Sequence, residues 1–435
     1  MYIENKLFKV DVSEVIQKNR KNYKLRKQRE ENWDVAVFGW DLGHNAAGRV
    51  YNLAEFYSKR ANVKIVGNLY LPISSELWPP LKNIKIETIL MKVNNWENYI
   101  EKIVEFVFEN PFQIVHLSKP RAPNVIVGFL YKVIWNSKVI VDIDDEELAF
   151  NKSEKELEKR QINLLHEKEW TKIAIECIDD FDMKTVVSNP LIKKYGGLYL
   201  PHMRNEEIFH NNSKRKIINR LRLSILQSEK VIIFLGTPRK HKGLVNVAKA
   251  ISKLDRKDVT FLIIGKFDDV TLENQLKSIE RIKYKFINQI YIDQVPDYLA
   301  VADLCILLQD QNDPICKYQF PAKIVDAMSM CIPVVTSNVE ALEPLCMANA
   351  IIGIDESRIF NIVKELIDND KKLIETGKAG RKYFMDNLSY KINSNKLDIL
   401  FNLENKSWII SDKMIKFISE LGSPICNELL NISPQ

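Results

Sequence analysis

The sequence lacks the features that would anchor it in a membrane or build it around a metal. Its six cysteines form no Cys-x-x-Cys pair and lack nearby histidine ligands, so we expect reduced, mostly buried thiols and no structural zinc. The longest apolar run, "VIVGFLYKVIW" at 125–135, is too short to span a bilayer and contains Lys132. The first residues lack the positive segment and apolar core of a secretory signal, so we expect a cytoplasmic protein.

The sequence contains no motif typical of several common classes of protein. The sequence has no Walker loop and no His-Glu-x-x-His pair, which argues against a P-loop NTPase and a zinc protease. The 63 basic residues exceed the 57 acidic ones only slightly, giving a net charge of +6. So small an excess gives little reason to expect a nucleic-acid partner, and we predict none. There is no internal repeat and no low-complexity tract.

The sequence does contain a long alternation of strand-like and helix-like segments. Apolar runs such as "VAVFGW", "VKIVGNLYL" and "KVIVDID" alternate with amphipathic stretches, and a second series begins at "VIIFLGT". Such alternation is typical of parallel sheets covered by helices on both faces. With 435 residues, the chain is long enough for two domains with full cores. We therefore predict an α/β fold of two doubly wound, Rossmann-like domains facing a central cleft, where ligands would bind.

We place the domain boundaries from these segments. A basic helical extension covers 1–34, the first domain 35–205 and the second domain 206–400, and a C-terminal helical segment at 401–435 could pack back on the first domain. The basic run "KNRKNYKLRKQR" within the extension is best explained as a solvated helix face. Peripheral contact with anionic lipid headgroups is the alternative.

Two loops of the second domain combine a turn with positive charge. "GTPRKHKG", at 236–243, follows a strand and opens a helix: Gly236 permits a tight turn, while Arg239 and Lys242 could reach an anion at the helix N-terminus. In "PAKIVDAM", Lys323 could bind phosphate oxygens, and Asp326, one turn later, could accept hydrogen bonds from ribose hydroxyls. A solvated basic loop and an exposed ion pair are the alternatives.

These segments resemble the GT-B glycosyltransferases, especially the retaining family 4. The resemblance is strongest in "FLGTPRKHKGLVNVAKAI", "FLIIGK" and "PAKIVDAMSMCIPVVTS". It implies that the second domain binds a nucleotide diphosphate sugar and that no metal or other cofactor is required. The residues that would stabilise the leaving diphosphate are Arg239, Lys242 and Lys323, and the donor would contact Gly236, Thr237, Gly265 and Asp326.

The first domain resembles the acceptor side of the same family. In "VAVFGWDLGHNAAGRVYNLAEFYSKR", the resemblance implies that Gly43, His44 and Asn45 approach the donor. "FQIVHLSKPRAPN" and "DIDDEE" supply the acceptor-side candidates, which are His116, Ser118, Lys119, Arg121, Asp142, Asp144 and Asp145. Alternatives remain open: a strand-end histidine is as often structural, and a basic loop can be solvated. Asp-x-Asp is only a weak metal pattern, and we rank a metal site below acceptor-cleft carboxylates or a cluster at a helix N-terminus.

Four departures from the family pattern shape the functional prediction. Tyr318 and Asp326 stand where the family has two glutamates eight positions apart, Thr237 replaces an arginine, and Ser118 replaces a second histidine. We predict a glycosyltransferase that transfers a sugar from a nucleotide diphosphate sugar to a growing glycan or lipid-linked acceptor, with retention. A noncatalytic GT-B subunit that binds a partner glycosyltransferase or glycan is the alternative, and a nucleotide-sugar epimerase is a weaker one.

Overall fold

A computed structural model describes residues 12–27, 33–71, 74–150, 168–404 and 408–431. Its first sheet has seven parallel strands in the order β3-β2-β1-β4-β5-β6-β7. These strands are β1 Trp33–Gly39, β2 Ala61–Tyr70, β3 Glu87–Val93, β4 Ile114–Ser118, β5 Lys138–Ile143, β6 Met183–Val186 and β7 Leu198–Tyr199.

The second sheet has six parallel strands in the order β10-β9-β8-β11-β12-β13. They are β8 Lys230–Leu235, β9 Val259–Ile264, β10 Lys283–Ile287, β11 Leu304–Leu307, β12 Val334–Ser337 and β13 Ile352–Ile354. In both sheets the strand order reverses beside the first strand, as in doubly wound dinucleotide-binding folds.

The helices connect the parallel strands and cover the sheets. In the first domain they are α1 Val12–Lys27, α2 Ala47–Tyr57, α3 Trp96–Glu109, α4 Ala122–Trp135, α5 Lys168–Glu176 and α6 Asn189–Tyr195. Those that follow are α7 Ser213–Arg222, α8 Leu244–Leu254, α9 Val270–Lys277, α10 Val295–Leu299, α11 Pro314–Tyr318, α12 Ala322–Ser329, α13 Glu343–Met347, α14 Ile359–Asp368, α15 Asp370–Asn387, α16 Tyr390–Phe401, α17 Asp412–Glu420 and α18 Pro424–Leu430.

The strands that the sequence predicted most clearly are buried on both faces. All six residues of β9 are buried, and so are the last five of β5. Their apolar side chains cannot alternate with polar ones because helices cover both sides of a parallel sheet. This explains why the strands read as continuous apolar runs in the sequence.

The chain returns to the first domain at α16, where the Tyr390 ring packs against the Phe56 ring with centroids 5.3 Å apart. The rings of Trp33 and Phe401 stack with centroids 5.6 Å apart, and the Lys138 ammonium donates to the Phe401 carbonyl at 2.8 Å. Further along, the indole of Trp408 packs against Phe129 at 6.0 Å. Residues 405–407 and 432–435 of the predicted C-terminal segment lie outside the described residues.

The basic N-terminal helix is docked on the first domain. In α1, Ile16 is 1% exposed and the Arg20 guanidinium donates to the Ile134 carbonyl at 2.9 Å. Lys18 and Lys21 remain exposed on the outer face. Residues 1–11 and 28–32 of the predicted extension lie outside the described residues. Among the helices that the structure describes, none is both long and apolar enough to cross a membrane.

Candidate active site

The carboxyl edges of the two sheets face each other across the cleft. The Ser188 hydroxyl of the first domain donates to the Tyr318 carbonyl of the second at 2.9 Å. Nearby, the His202 ring lies parallel to the Phe320 ring, with centroids 6.4 Å apart. The loops after β1, β4, β8 and β11 flank the points of strand reversal, which is where doubly wound sheets bind ligands. These loops carry many of the residues that the sequence predicted for the site.

Two glycines shape the turn after β8. Gly236 has φ +120°, and a Cβ there would lie 2.6 Å from the Lys323 ammonium nitrogen. Gly265, after β9, has φ +150°, and its Cβ would lie 2.2 Å from the Gly236 carbonyl oxygen. Both positions combine a left-handed backbone with no room for a side chain. The turn thus lets the Lys323 ammonium lie directly against the backbone.

Three cations gather around this turn without a carboxylate partner. Within the described part of the chain, Arg239, Lys242 and Lys323 make no salt bridge, although most buried cations elsewhere in the protein do. Lys242 is 7% exposed and its ammonium donates to the Gln319 side-chain oxygen at 2.6 Å. The Lys323 ammonium lies 5.0 Å from the centre of the Phe234 ring. Burying uncompensated positive charge is costly, so this cluster is suited to an anion.

The pKa values of the cluster show the same excess of positive charge. Burial, and then the neighbouring Lys242 ammonium, lower the pKa of Lys323 to about 7. Burial also lowers the pKa of Lys242. For His241, burial followed by repulsion from Lys242 lowers the pKa to about 4. A bound anion would offset both the desolvation and the mutual repulsion, and it would favour the charged lysines.

Helix geometry adds to the anion site. α8 starts directly after the turn Lys240–Lys242, with Gly243 as its N-cap at φ +63°. A Cβ on Gly243 would lie 2.5 Å from the Leu308 Cβ, so the loop after β11 packs closely here. The N-terminus of this helix presents free N–H groups and the positive end of its dipole. Thr237 is partly buried beside this loop, and its role stays a prediction.

Asp326 has a partner that the sequence did not indicate. Its carboxylate lies 2.6 Å from the Arg204 guanidinium nitrogen, and the side chains are 9% and 10% exposed. Arg204 lies on the crossing between the domains, where its backbone N–H bonds to the Leu388 carbonyl at 3.3 Å. The structure therefore gives Asp326 a role in fixing the interdomain crossing. The alternative of an exposed pair with Lys323 is wrong, because Asp326 is buried and lies against Arg204.

On the first domain, the loop after β1 approaches the cation cluster. The Gly43 N–H donates to the Asp41 carboxylate at 2.7 Å, and a Gly43 Cβ would lie 2.1 Å from the Ser74 Cβ. Burial lowers the pKa of His44, while Asp41 raises it; Lys119 and Arg239 add to the lowering. His44 thus lies within electrostatic reach of the second domain's Arg239. Asn45 is exposed, and the donor contacts of these loop residues stay predictions.

His116 and Asp142 belong to a buried network and not to the cleft surface, which corrects their assignment as acceptor-side residues. The Asp142 carboxylate accepts from the Arg49 guanidinium at 2.7 and 2.8 Å and from the Thr185 hydroxyl at 2.7 Å. His116 is fully buried between Thr185, at 3.1 Å, and the Tyr57 hydroxyl, at 3.0 Å. Burial lowers the pKa of His116 to about 4. These contacts agree with the structural alternative for this histidine.

Lys119 and Arg121 are also not free to receive an anionic acceptor. The Lys119 ammonium lies 2.8 Å from a carboxylate oxygen of each of Asp144, Asp145 and Glu147. The Arg121 guanidinium donates to Glu147 at 2.5 Å. Both cations are thus neutralised by the "DIDDEE" loop. Asp144 and Asp145 remain at the edge of the cleft, but their charge is directed at Lys119.

The same three carboxylates are close enough together to surround a metal ion. Within the described residues, Asp144, Asp145 and Glu147 are the group of potential ligands that comes within 4.8 Å of one another. The Lys119 ammonium already occupies the position between them. Ser118 is buried at the end of β4, and its hydroxyl has no hydrogen-bond partner among the described residues. Its predicted contact with the acceptor stays a prediction.

Sequence reasoning missed Gln319, which connects the two halves of the site. Besides accepting from Lys242, its side-chain NH₂ donates to the Asp145 carboxylate of the first domain at 3.1 Å. Arg204 was missed in the same way. Gln319 stands next to Tyr318, which the sequence did single out. The long-range partners of Gln319 and Arg204 could not be identified from local spacing.

A separate cavity of about 500 Å³ lies at the opposite end of the second sheet. Among its lining residues, Lys216 and Arg220 both pair with Asp303 at 2.6 Å. Its cations are thus compensated, in contrast to those around Gly236. The cavity therefore does not share the electrostatic property of the cleft.

Comparisons with known proteins agree with this arrangement. Residues 229–369 match the family described as "Glycosyl transferases group 1". This match covers the second domain, with the turn after β8 and α12. It confirms the glycosyltransferase class predicted for that domain. No curated protein matches the chain by sequence.

The whole chain is similar in fold to several solved structures. Sucrose-phosphate synthase from Thermosynechococcus elongatus has 15% identity and a TM-score of 0.64, with 85% of this chain and 98% of that chain covered. HepE from Anabaena, solved with UDP-glucose, has 15% identity and a TM-score of 0.65, with coverage of 86% and 100%. WaaG, a glycosyltransferase involved in lipopolysaccharide biosynthesis, has 12% identity and a TM-score of 0.60, with coverage of 85% and 100%. The predicted GT-B fold and the resemblance to GT-B glycosyltransferases are confirmed.

Proposed function

We propose that this GT-B chain, whose second domain matches the group 1 glycosyl transferases, transfers a sugar from a nucleotide diphosphate sugar to a hydroxyl group of a growing glycan or lipid-linked acceptor. The observation that carries the proposal is the cluster of Arg239, Lys242 and Lys323, which has no carboxylate ion pair in the described part of the chain. A diphosphate is the anion that fits three cations beside a helix N-terminus. UDP-glucose, bound by the HepE structure, supports this class of donor.

The proposed reaction breaks the bond between the anomeric carbon and a diphosphate oxygen. The acceptor hydroxyl oxygen forms the new bond, and its proton leaves with the diphosphate. Negative charge grows on the leaving group, and Arg239 and Lys323 would stabilise it without having to reorganise. The closely apposed domains would exclude water, which would otherwise compete with the acceptor. Retention at the anomeric carbon is proposed from the family resemblance.

We place the acceptor on the first-domain side of the cleft, near Ser118, Asp144 and Asp145. A cytoplasmic enzyme at the inner face of a membrane would reach a lipid-linked acceptor, and the exposed Lys18 and Lys21 of α1 would suit contact with anionic headgroups. Flotation with vesicles containing phosphatidylglycerol would test this location. Equal recovery with neutral vesicles would argue against it.

The donor site is tested by calorimetry with UDP, GDP and ADP. Replacing Lys323 or Arg239 with alanine should weaken binding of the preferred nucleotide about tenfold or more, because each removes a charged contact with the diphosphate. Lys240→Ala is the matched control, since this neighbouring lysine is 73% exposed and pairs with Asp269 at 3.4 Å. If all three variants bind alike, the cation cluster is not the donor site.

A noncatalytic GT-B subunit is the second candidate, favoured by Tyr318 in place of a glutamate and by the pairing of Asp326 with Arg204. A panel of nucleotide sugars and acceptors separates the candidates. Transfer to an acceptor, with the product anomer assigned by NMR, supports the enzyme. Binding without turnover supports the noncatalytic subunit, and conversion of the donor sugar without an acceptor indicates an epimerase.

A further inference from the structure

We infer that Gln319 is a positioning residue that couples the first domain to the diphosphate site through Lys242. The inference rests on the proposed function and deepens it. Gln319 follows α11 in the second domain, whereas Asp145 follows β5 in the first. Its side chain contacts both Lys242 and Asp145, at 2.6 and 3.1 Å. One amide group thus spans the cleft beside the proposed donor site.

The chemistry of the two partners fixes the orientation of the amide. An ammonium group has only donors and an ionised carboxylate has only acceptors. The amide oxygen must therefore face Lys242 and the amide nitrogen must face Asp145. The reverse orientation would set donor against donor and acceptor against acceptor. Gln319 is thereby a polar bridge between a cation and an anion that do not touch each other.

The bridge explains how the buried Lys242 is held in place without a salt bridge to any described residue. Lys242 is buried, and burial lowers its pKa. The Gln319 oxygen stabilises the ammonium, and the Asp145 carboxylate polarises the amide that supports it. A direct carboxylate would neutralise Lys242 and compete with the diphosphate. An amide holds the lysine in place and leaves its charge available to the ligand.

The position of the first domain affects Lys242 because the Asp145 carboxylate belongs to that domain, whereas Gln319 and Lys242 belong to the second. Lys119 holds Asp145 at 2.8 Å, so the carboxylate is presented by a fixed cluster of the first domain. Separation of the domains would break the contact between Gln319 and Asp145. Lys242 would then lose the polarised acceptor that orients it. The diphosphate site is therefore complete only when the two domains are together.

The test is a double-mutant cycle measured by calorimetry with inorganic pyrophosphate and with UDP on the full chain. Gln319→Leu should weaken pyrophosphate binding about tenfold, since it removes a hydrogen bond to a charged group. Asp145→Asn should weaken it by a smaller factor, about threefold, although Asp145 lies on the other domain. The double variant should bind no more weakly than Gln319→Leu alone. Additive losses would overturn the inference.

Further variants separate positioning from a general effect on folding. In a Lys242→Met background, Gln319→Leu should cause no further loss of pyrophosphate affinity, and a further loss would contradict the proposed route. Gln319→Glu should weaken binding more than Gln319→Leu, because it neutralises Lys242 directly. Gln311→Leu is the control, since this glutamine is exposed and its side chain donates to the Asn338 carbonyl, at 3.0 Å. Thermal unfolding checks that each variant is folded.

The outcomes distinguish this inference from the function on which it rests. If wild-type protein binds neither pyrophosphate nor UDP, the donor site itself is wrong and the inference fails with it. If wild-type protein binds them and the Gln319 and Asp145 variants bind equally well, the donor site stands and the positioning role is overturned. Non-additive losses of affinity confined to these two positions and Lys242 support both the donor site and the positioning role of Gln319.

Discussion

Replacing Lys323 with methionine should stabilise the ligand-free protein and at the same time weaken its binding of a diphosphate. The charged form of Lys323 is disfavoured, because burial and the Lys242 ammonium lower its pKa from 10.5 to about 7. Methionine has similar length and removes the charge. It also keeps contact with the Phe234 ring, which lies 5.0 Å from the lysine nitrogen, because sulfur packs well against aromatic rings.

The size of the effect follows from the pKa. One pKa unit corresponds to about 1.4 kcal/mol. Lowering the pKa from 10.5 to about 7 therefore means that the charged lysine destabilises the folded protein by at most about 5 kcal/mol. Lys323 is only partly buried and borders the cleft, where solvent screens its charge. We therefore expect the free energy of unfolding to rise by about 2 kcal/mol in Lys323→Met.

The pH dependence of stability independently tests whether charged Lys323 destabilises the folded protein. The pKa of Lys323 is lower in the folded protein than in the unfolded chain, so the lysine costs stability fully below about pH 7. This cost shrinks as the pH rises from about 7 towards 10.5, where the unfolded chain also loses the proton. The advantage of the methionine variant should therefore be largest near neutral pH and decline in alkaline buffer.

Urea unfolding at about pH 7 and about pH 9.5 measures the change in the free energy of unfolding and its dependence on pH. The increase in melting temperature with UDP measures binding. Lys240→Met is the control, because Lys240 is 73% exposed and pairs with Asp269. A methionine variant that is less stable than wild type at both pH values would refute the reasoning. So would an advantage that does not change with pH.

Two further predictions concern carboxylates. Asp326→Asn leaves the buried Arg204 guanidinium without its ion pair, so it should lower the free energy of unfolding by about 3–5 kcal/mol. It should also weaken UDP and pyrophosphate binding equally in calorimetry, and a loss confined to UDP would instead indicate a ribose contact. Transfer activity should survive EDTA, because Lys119 already lies between the carboxylates of Asp144, Asp145 and Glu147; activity lost with EDTA and restored by manganese would establish a metal requirement.

The sequence by itself determined the features that depend on short stretches of chain. Apolar runs and amphipathic spacing identified strands such as β1, β2, β5 and β8, since burial on two faces leaves a continuous apolar pattern. The position of "GTPRKHKG" after such a strand also located the turn, where Gly236 has the positive φ that few other residues adopt. Local backbone sterics and periodicity act over a few residues, and the sequence displays them directly.

Only the tertiary structure decided which charges are compensated and which are free. The sequence predicted both Lys119 and Lys323 as site residues. Three carboxylates surround Lys119, whereas none pairs with Lys323 in the described chain. Asp326 likewise pairs with Arg204, on a distant segment, and not with the lysine one helical turn away. Ion pairs form between groups that folding brings within a few ångströms, whatever their separation along the chain, so their partners follow from the packing of the two domains.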